Sequence, residues 1–243
     1  MSNPLERVDD LQFCGLKIIQ NPQMFCFGMD AVLLSDFAMA RPGDRVADLG
    51  TGTGILPLLI SGRAAHTVFD AFEIQPDMAD MARRSVTLNS LESRITIHEK
   101  DLRQAADVLP RGQKDLVICN PPYGKAGSTL QNPVDALRIA RHEGTCTLLE
   151  IVHVAKLLLK NGGRLAMVFP AQRMLELMDA MRQEKIEPKR LRLVYPKADK
   201  PPNLVLIDGV KDGKPQLHLL PPLIVYDASG NPTQELDRIY HRT

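Results

Sequence analysis

Apolar positions along this chain come in runs of two lengths, and the runs alternate. Val46-Ala47-Asp48-Leu49 is short and ends at Gly50-Thr51-Gly52-Thr53-Gly54, after which Ile55-Leu56-Pro57-Leu58-Leu59-Ile60 is longer. That order predicts a buried strand, a tight turn and a helix. Val68 to Ile74 reads as a second strand, and Pro76 opens a helix to Asn89 that gathers Met78, Met81, Ala82 and Ser85 on one side. Arg94 to Glu99 and Asp115 to Cys119 read as the third and fourth strands. From Thr147, the residues Leu148, Ile151, Val152, Ala155, Leu158 and Leu159 recur at helical spacing until Asn161-Gly162-Gly163 ends the helix. Arg164 to Pro170 is a fifth strand, followed by a helix over Met174 to Gln183 with Leu175, Met178 and Met181 in the core. Leu191 to Tyr195 and Asn203 to Val210 are the sixth and seventh strands.

Seven strands alternating with helices predict an α/β fold built on an open, doubly wound, Rossmann-like sheet. The last two strands have no helix between them, so the seventh lies antiparallel beside the others. Ahead of this core, Leu16 to Ile19 is a short strand, and Asp30 caps a helix through Ala40 whose Val32, Leu33, Phe37 and Ala40 share a face. Behind it, Leu217 to Tyr226 is an apolar, proline-broken appendage and Glu235 to Thr243 a charged, frayed end. We read the 243 residues as one domain: a segment over 1–44 covering the cofactor site, a core sheet over 45–211 and an appendage over 212–243.

Composition narrows the function classes. There are 30 Lys plus Arg against 29 Asp plus Glu, a net charge of +1, so any nucleic-acid binding must come from a local patch. Cys14, Cys26, Cys119 and Cys146 form no Cys-x-x-Cys pair, and no metal site is expected. No signal-peptide core and no run approaching the ~18 apolar residues that span a bilayer is present. The expectation is a cytoplasmic protein, off the membrane and monomeric.

The glycine turn carries the first chemistry. Side chains at Gly50, Gly52 or Gly54 would hold a ligand away from the backbone. Their spacing is Gly-x-Gly-x-Gly, no Gly-Lys-Ser/Thr follows, and Asp48 at the strand tip repels phosphate, which argues against dinucleotides and nucleotides and for a cationic ligand. Asp-Leu-Gly-Thr-Gly-Thr-Gly resembles the first motif of class I S-adenosylmethionine (SAM) methyltransferases. Glu73, 23 positions after Gly50, stands where an acid at the next strand tip accepts from two ribose hydroxyls. Asp101, just past the third strand, matches the acid that the family pattern places on the adenine amino group.

The fourth strand runs into Asn120-Pro121-Pro122-Tyr123. This string resembles the signature of methyltransferases that act on a planar amide or exocyclic amine nitrogen. Pro121 and Pro122 have no N–H, so the loop presents acceptors only, with the Asn120 side-chain oxygen and the Pro121 carbonyl held in place. Two acceptors then meet one NH₂ group and favour the cation that develops as its delocalised lone pair is methylated. Tyr123 offers a flat face to the target ring. The next stretch, 124–141, is expected to be a substrate lid in which Lys125, Arg138, Arg141 and His142 can meet phosphates. A second basic group, with Lys189, Arg190, Lys197 and Lys200, reads as an RNA-backbone patch.

The order Phe-x-Phe-x-x-Asp-Ala-Val-Leu-Leu, Asp-Leu-Gly-Thr-Gly-Thr-Gly, Asn-Pro-Pro-Tyr, Ala-Arg-His-Glu and Pro-Lys-Arg-Leu-Arg-x-Val-Tyr-Pro resembles the bacterial tRNA(Val) adenosine N6-methyltransferase family over about Phe13 to Val210. The resemblance implies SAM as cofactor, tRNA as partner and an adenosine next to the anticodon as target. It implies cofactor contacts by Phe27 and Asp30 from the N-terminal segment and by Asp48, Gly50, Thr51, Gly52 and Gly54 from the turn. Glu73, Ile74, Asp101, Leu102 and Asn120 complete that set. Glutamine N5-methyltransferases of release factors and DNA adenine methyltransferases share Asn-Pro-Pro-Tyr, so the motif alone leaves them open. About 45 residues precede the first core strand, too few for the helical domain of the glutamine enzymes. A SAM-binding module without catalysis would show a degraded fourth-strand motif, and this one is intact; a dehydrogenase is the weaker rival.

Overall fold

The computed structural model describes residues 5–24, 26–121 and 146–241. Five parallel strands form its centre: β3 (Arg45–Leu49), β4 (Val68–Glu73), β5 (Ile95–Glu99), β6 (Lys114–Cys119) and β7 (Leu159–Pro170). Their side chains alternate between two cores, as strands buried on both faces must. Val46, Phe69, Leu116 and Val168 join one core with α1 (Met29–Phe37) and α2 (Ile55–Arg63). Ala47, Phe72, Val117 and Met167 join the other with α5 (Leu148–Leu158) and α6 (Met174–Gln183). Between them in the chain lie α3 (Pro76–Leu88) and the short α4 (Ala105–Val108).

With β8 (Ile186–Tyr195), β9 (Leu204–Lys211) and the two-residue β10 (His218–Leu219) at one side, the sheet order is β10-β8-β9-β7-β6-β3-β4-β5. The β9 strand is antiparallel to both β7 and β8, as the missing helix between the last two predicted strands requires. That strand and the equally short β11 (Leu223–Ile224) pair in parallel with β8 and tie the C-terminal segment to the sheet. A hairpin of β1 (Arg7–Asp10) and β2 (Lys17–Gln20) docks on α3, where Ile19 packs with Met78 and Met81 and its amide donates to Ser85 Oγ at 2.9 Å.

Four local expectations are corrected. Gly28, not Asp30, is the N-cap of α1; Asp30 stands inside the first turn, two positions past the cap, and its Oδ1 accepts from the Ala31 amide at 2.9 Å. The helix before β7 ends at Leu158, and Asn161 to Gly163 fall in a bulge of β7, where pairing jumps from Lys114↔Leu159 to Leu116↔Arg164. Leu175 is 69% exposed because the buried stripe of α6 is Leu177, Ala180 and Met181, and two residues' offset turns a side chain some 200° around the helix. The charged end is ordered as α7 (Gln234–Ile239). Thr233 Oγ1 caps it by accepting from the Leu236 amide at 3.3 Å, and Leu236 and Ile239 are buried one turn apart.

Candidate functional site

The buried run of β3 carries the chain to Gly50, whose φ of +86° only glycine adopts readily, and the turn ends at Gly54, φ +87°, the N-cap of α2. Gly54 also lets α2 approach α3, since a Cβ there would lie 3.5 Å from that of Ala82. The turn is anchored to the end of β4 from several sides. The Gly50 and Thr51 amides donate to the Phe72 carbonyl at 3.0 and 2.8 Å, and the Gly52 amide donates to Glu73 Oε2 at 2.9 Å. Glu73 Oε1 accepts from the Gln75 amide at 2.9 Å.

Beneath the turn lies Asp48, fully buried, and among the described residues neither carboxylate oxygen has a hydrogen-bond partner; nor does the Thr51 hydroxyl. Burial pushes the Asp48 carboxyl up to about 7, and the negative charge of Glu73 adds to the rise. A Cβ at Gly50 would meet nothing within 4 Å, so the turn is open above its backbone. An open backbone cradle with an orphaned buried acid beneath it fits a small ligand with a cationic end, and SAM carries an ammonium and a sulfonium. The residues present fit that cofactor.

Along the same edge of the sheet, Ile74 is 46% exposed just past Glu73, a large apolar side chain left facing outward at a strand tip. Asp101 caps a short 3-10 turn over Leu102–Gln104 by accepting from the Arg103 amide at 2.9 Å, and the Arg103 guanidinium beside it holds its carboxyl below the usual range. Leu102 packs against the second core. Phe27 packs against the first, with its amide donating to Gln20 Oε1 at 3.0 Å, and Asp30 follows it into α1. Asp48 pairs in register with Ile118, so β3 and β6 are neighbours and Asn120 follows Cys119 at the same edge as the glycine turn. The Cys119 thiol donates to the Leu49 carbonyl at 3.0 Å and fastens the two strand ends together. Pro121 is buried next to Asn120.

Pro122, Tyr123, Lys125, Arg138, Arg141, His142 and the expected lid over 124–141 lie outside the described residues, as does Phe25. The second basic group is divided by the topology. Lys197 and Lys200 follow the end of β8, which runs parallel to β7, and so sit at the edge that carries Asn120. Lys189 Nζ reaches the Lys214 carbonyl beyond the end of β9, at the opposite edge. Arg190 is tied into the sheet by Asp208, to which its Nε donates at 2.8 Å, and its Nη2 donates to the Phe37 carbonyl at 3.0 Å. Two contributors had no signal in the sequence pattern: the Phe72 carbonyl that anchors the turn, and Arg103, two residues past Asp101 and indistinguishable there from a surface cation. Among the described residues no group of three or more His, Cys, Asp or Glu is placed to hold a metal, and no helix is long and apolar enough to cross a membrane.

Residues 15–187 match the family model of the methyltransferase small domain. A tRNA1(Val) (adenine(37)-N6)-methyltransferase of Tolumonas auensis is 33% identical over 199 residues, 82% of this chain and 78% of that protein. One of the same description from Parabacteroides distasonis is 31% identical over 183 residues, 74% of this chain and 75% of the relative. Among solved structures, a predicted O-methyltransferase from Agrobacterium tumefaciens is similar with a TM-score of 0.72 at 23% identity, covering 87% of this chain and 95% of its own. A SAM-dependent O-methyltransferase from Thermotoga maritima is similar with a TM-score of 0.54 at 18% identity, over 79% of this chain and 68% of its own; both likenesses are of fold.

Proposed function

The chain belongs to the methyltransferase small domain family and, by its curated relatives, to the tRNA1(Val) (adenine(37)-N6)-methyltransferases, and on that premise we propose that it methylates N6 of an adenosine in the anticodon loop of a tRNA. The observation that carries the reading is the adjacency of two strand ends: Asn120-Pro121 closes β6 beside the glycine turn that closes β3. A nitrogen held at the first and a methyl donor held at the second meet across one strand spacing, about 4.8 Å.

When bound, SAM supplies an electrophilic methyl group. The protein's own contribution begins with holding that donor: Asp48 faces its cationic end and Glu73 its ribose. Asp101 takes the adenine amino group. Ile74 covers one face of the ring, with Phe27 and Asp30 closing the site from the N-terminal side. On the target side, the Asn120 carboxamide oxygen and the Pro121 carbonyl accept the two N–H groups of the exocyclic amine. Those acceptors stabilise the positive charge that grows on nitrogen as it bonds to carbon, so no strong base is needed for attack. The target ring must leave its stack to reach this edge, and it does so at least expense from a loop, with Tyr123 as the surface it stacks on. Lys197 and Lys200, with Lys125, Arg138 and Arg141, are the cations proposed to take backbone phosphates.

The test offers purified protein and labelled SAM total tRNA, release factor and duplex DNA side by side, followed by mass spectrometry of the tRNA nucleosides. Label in N6-methyladenosine of tRNA is the expected result. Label on glutamine or duplex DNA with none on tRNA sinks the substrate and leaves the methyltransferase.

A further inference from the structure

Asp101 is the residue proposed to receive the adenine amino group, and its carboxylate is already engaged by Arg103. Oδ1 accepts from the Arg103 amide at 2.9 Å and from Arg103 Nε at 3.1 Å, while Oδ2 accepts from Nε at 3.0 Å and from Nη2. Three N–H groups of Arg103 thus crowd the carboxylate, with the single Nε hydrogen shared between its two oxygens and Nη2 on Oδ2. An amino group arriving at Oδ2 competes there with that guanidinium.

The alternative partner is in place. Arg103 Nη1 lies 3.7 Å from Glu150 Oε1, an ion pair too long to be a hydrogen bond. Glu150 Oε2 is occupied by the Thr147 amide at 2.7 Å and the Thr147 hydroxyl at 2.8 Å, which close the cap of α5, so Oε1 is the oxygen turned to Arg103. The Arg103 side chain is 42% exposed and can swing without disturbing either core.

We propose that Arg103 is a positioning residue that changes partner when the cofactor's adenine docks: its guanidinium leaves Asp101 Oδ2 for Glu150 Oε1, opening the acceptor and tying the first turn of α5 to the end of β5. The proposal rests on the methyltransferase reading for the cofactor and for Asp101 as the acceptor of its adenine amino group. The exchange gives up a close, multiply bonded contact with Asp101 for a single pair with Glu150, so in the wild type it costs the cofactor part of its affinity. Its consequence is that occupancy of the adenine end is felt at the start of α5.

The experiment is calorimetric titration with S-adenosylhomocysteine of the wild type, Arg103→Met, Glu150→Gln and the double variant. Gln keeps the helix cap at Glu150 and removes the charge. Arg103→Met removes the competitor and should bind about two- to fivefold tighter, the strength of an exposed ion pair. That advantage should shrink toward none as salt is raised, because salt weakens the competing pair in the wild type. Glu150→Gln should weaken binding in the wild-type background and do nothing in the Arg103→Met background. Equal or weaker binding by Arg103→Met, or an advantage indifferent to salt, overturns the proposal. Absence of S-adenosylhomocysteine binding by the wild type removes the cofactor reading and this exchange together. Normal binding without tRNA methylation leaves the exchange standing and removes only the substrate.

Discussion

The Gly52 amide donates to Glu73 Oε2 at 2.9 Å, so the acid proposed to hold the ribose also holds the glycine turn against the end of β4. Glu73 therefore has two duties, and substitution should disturb both. Glu73→Ala leaves the Gly52 and Gln75 amides without their acceptor in a buried place, about 1.5–3 kcal/mol of stability by the measure of charged hydrogen bonds. It should also weaken S-adenosylhomocysteine affinity at least tenfold. Glu73→Gln retains one oxygen acceptor and should lose less of each. Urea denaturation and calorimetric titration of the same samples read the two effects; a folded Glu73→Ala protein with unchanged affinity ends the ribose role.

Asp48 makes both ligand binding and stability depend on pH. Its carboxyl is raised from the ordinary 3.8 to about 7, chiefly by burial. A folded-state value above the unfolded one stabilises the ligand-free protein below about pH 4, and that contribution fades as pH rises to about 7 and beyond. It amounts to a few kcal/mol at order of magnitude. Ligand-free protein should thus be less stable at pH 8 than at pH 5.5 by this group, and Asp48→Asn should flatten the difference. The cationic end of SAM favours the ionised acid, so affinity should rise with pH up to about 7 and binding below that should release a proton. Titration in buffers of different ionisation enthalpy reads the proton directly; pH-independent affinity would remove Asp48 from contact with the cation.

The central strands were legible because their residues are buried on both faces and so form unbroken apolar runs, as Val46 to Leu49 and Leu116 to Cys119 do. The antiparallel position of β9 was legible from what the chain lacks between Tyr195 and Asn203, namely a helix. Leu175 was misread because its helix has apolar residues on more than one side, and only the packing of Leu177 and Met181 against the second core tells which side is buried. That Asp48, Glu73 and Asp101 stand at or just past strand ends was legible from the runs before them. Their partners were not: nothing in the spacing of Asp101 and Arg103 shows that the second covers the first, and Arg190 gives no sign that its partner Asp208 waits on the neighbouring strand.

Asn120 is expected to act on the charge that develops during transfer and so to show itself in turnover. Asn120→Ala should bind S-adenosylhomocysteine normally and slow single-turnover methylation of tRNA by about 10²–10³-fold, as loss of one aimed polar group does elsewhere. Tyr123→Ala should raise the apparent KM for tRNA, with Tyr123→Phe retaining most of the ring's stacking. An Asn120→Ala protein that turns over normally would place the amine's acceptors elsewhere.

Arg190 and Lys197, neighbours in a basic stretch, should answer the same substitution in opposite ways. Asp208 is 2% exposed and takes both the Arg190 amide at 3.0 Å and the guanidinium, while the guanidinium carbon stands 4.8 Å over the Phe37 ring. Arg190→Glu sets a second carboxylate against that buried acid and should destabilise the fold by about 3–5 kcal/mol or more, the penalty for breaking a buried pair. Lys197→Glu and Lys200→Glu change charges at the loop after β8 and should move stability by about 0.5 kcal/mol at most. With a net charge of only +1, RNA would have to be held through few contacts, so on the proposed function those two reversals should weaken tRNA binding and each reduce the salt slope by about one. Urea denaturation beside filter binding at several salt concentrations separates the two classes. A stable Arg190→Glu protein with selectively lost tRNA affinity would return Arg190 to the RNA surface, and normal tRNA binding by Lys197→Glu/Lys200→Glu would move that surface away from the β8 loop.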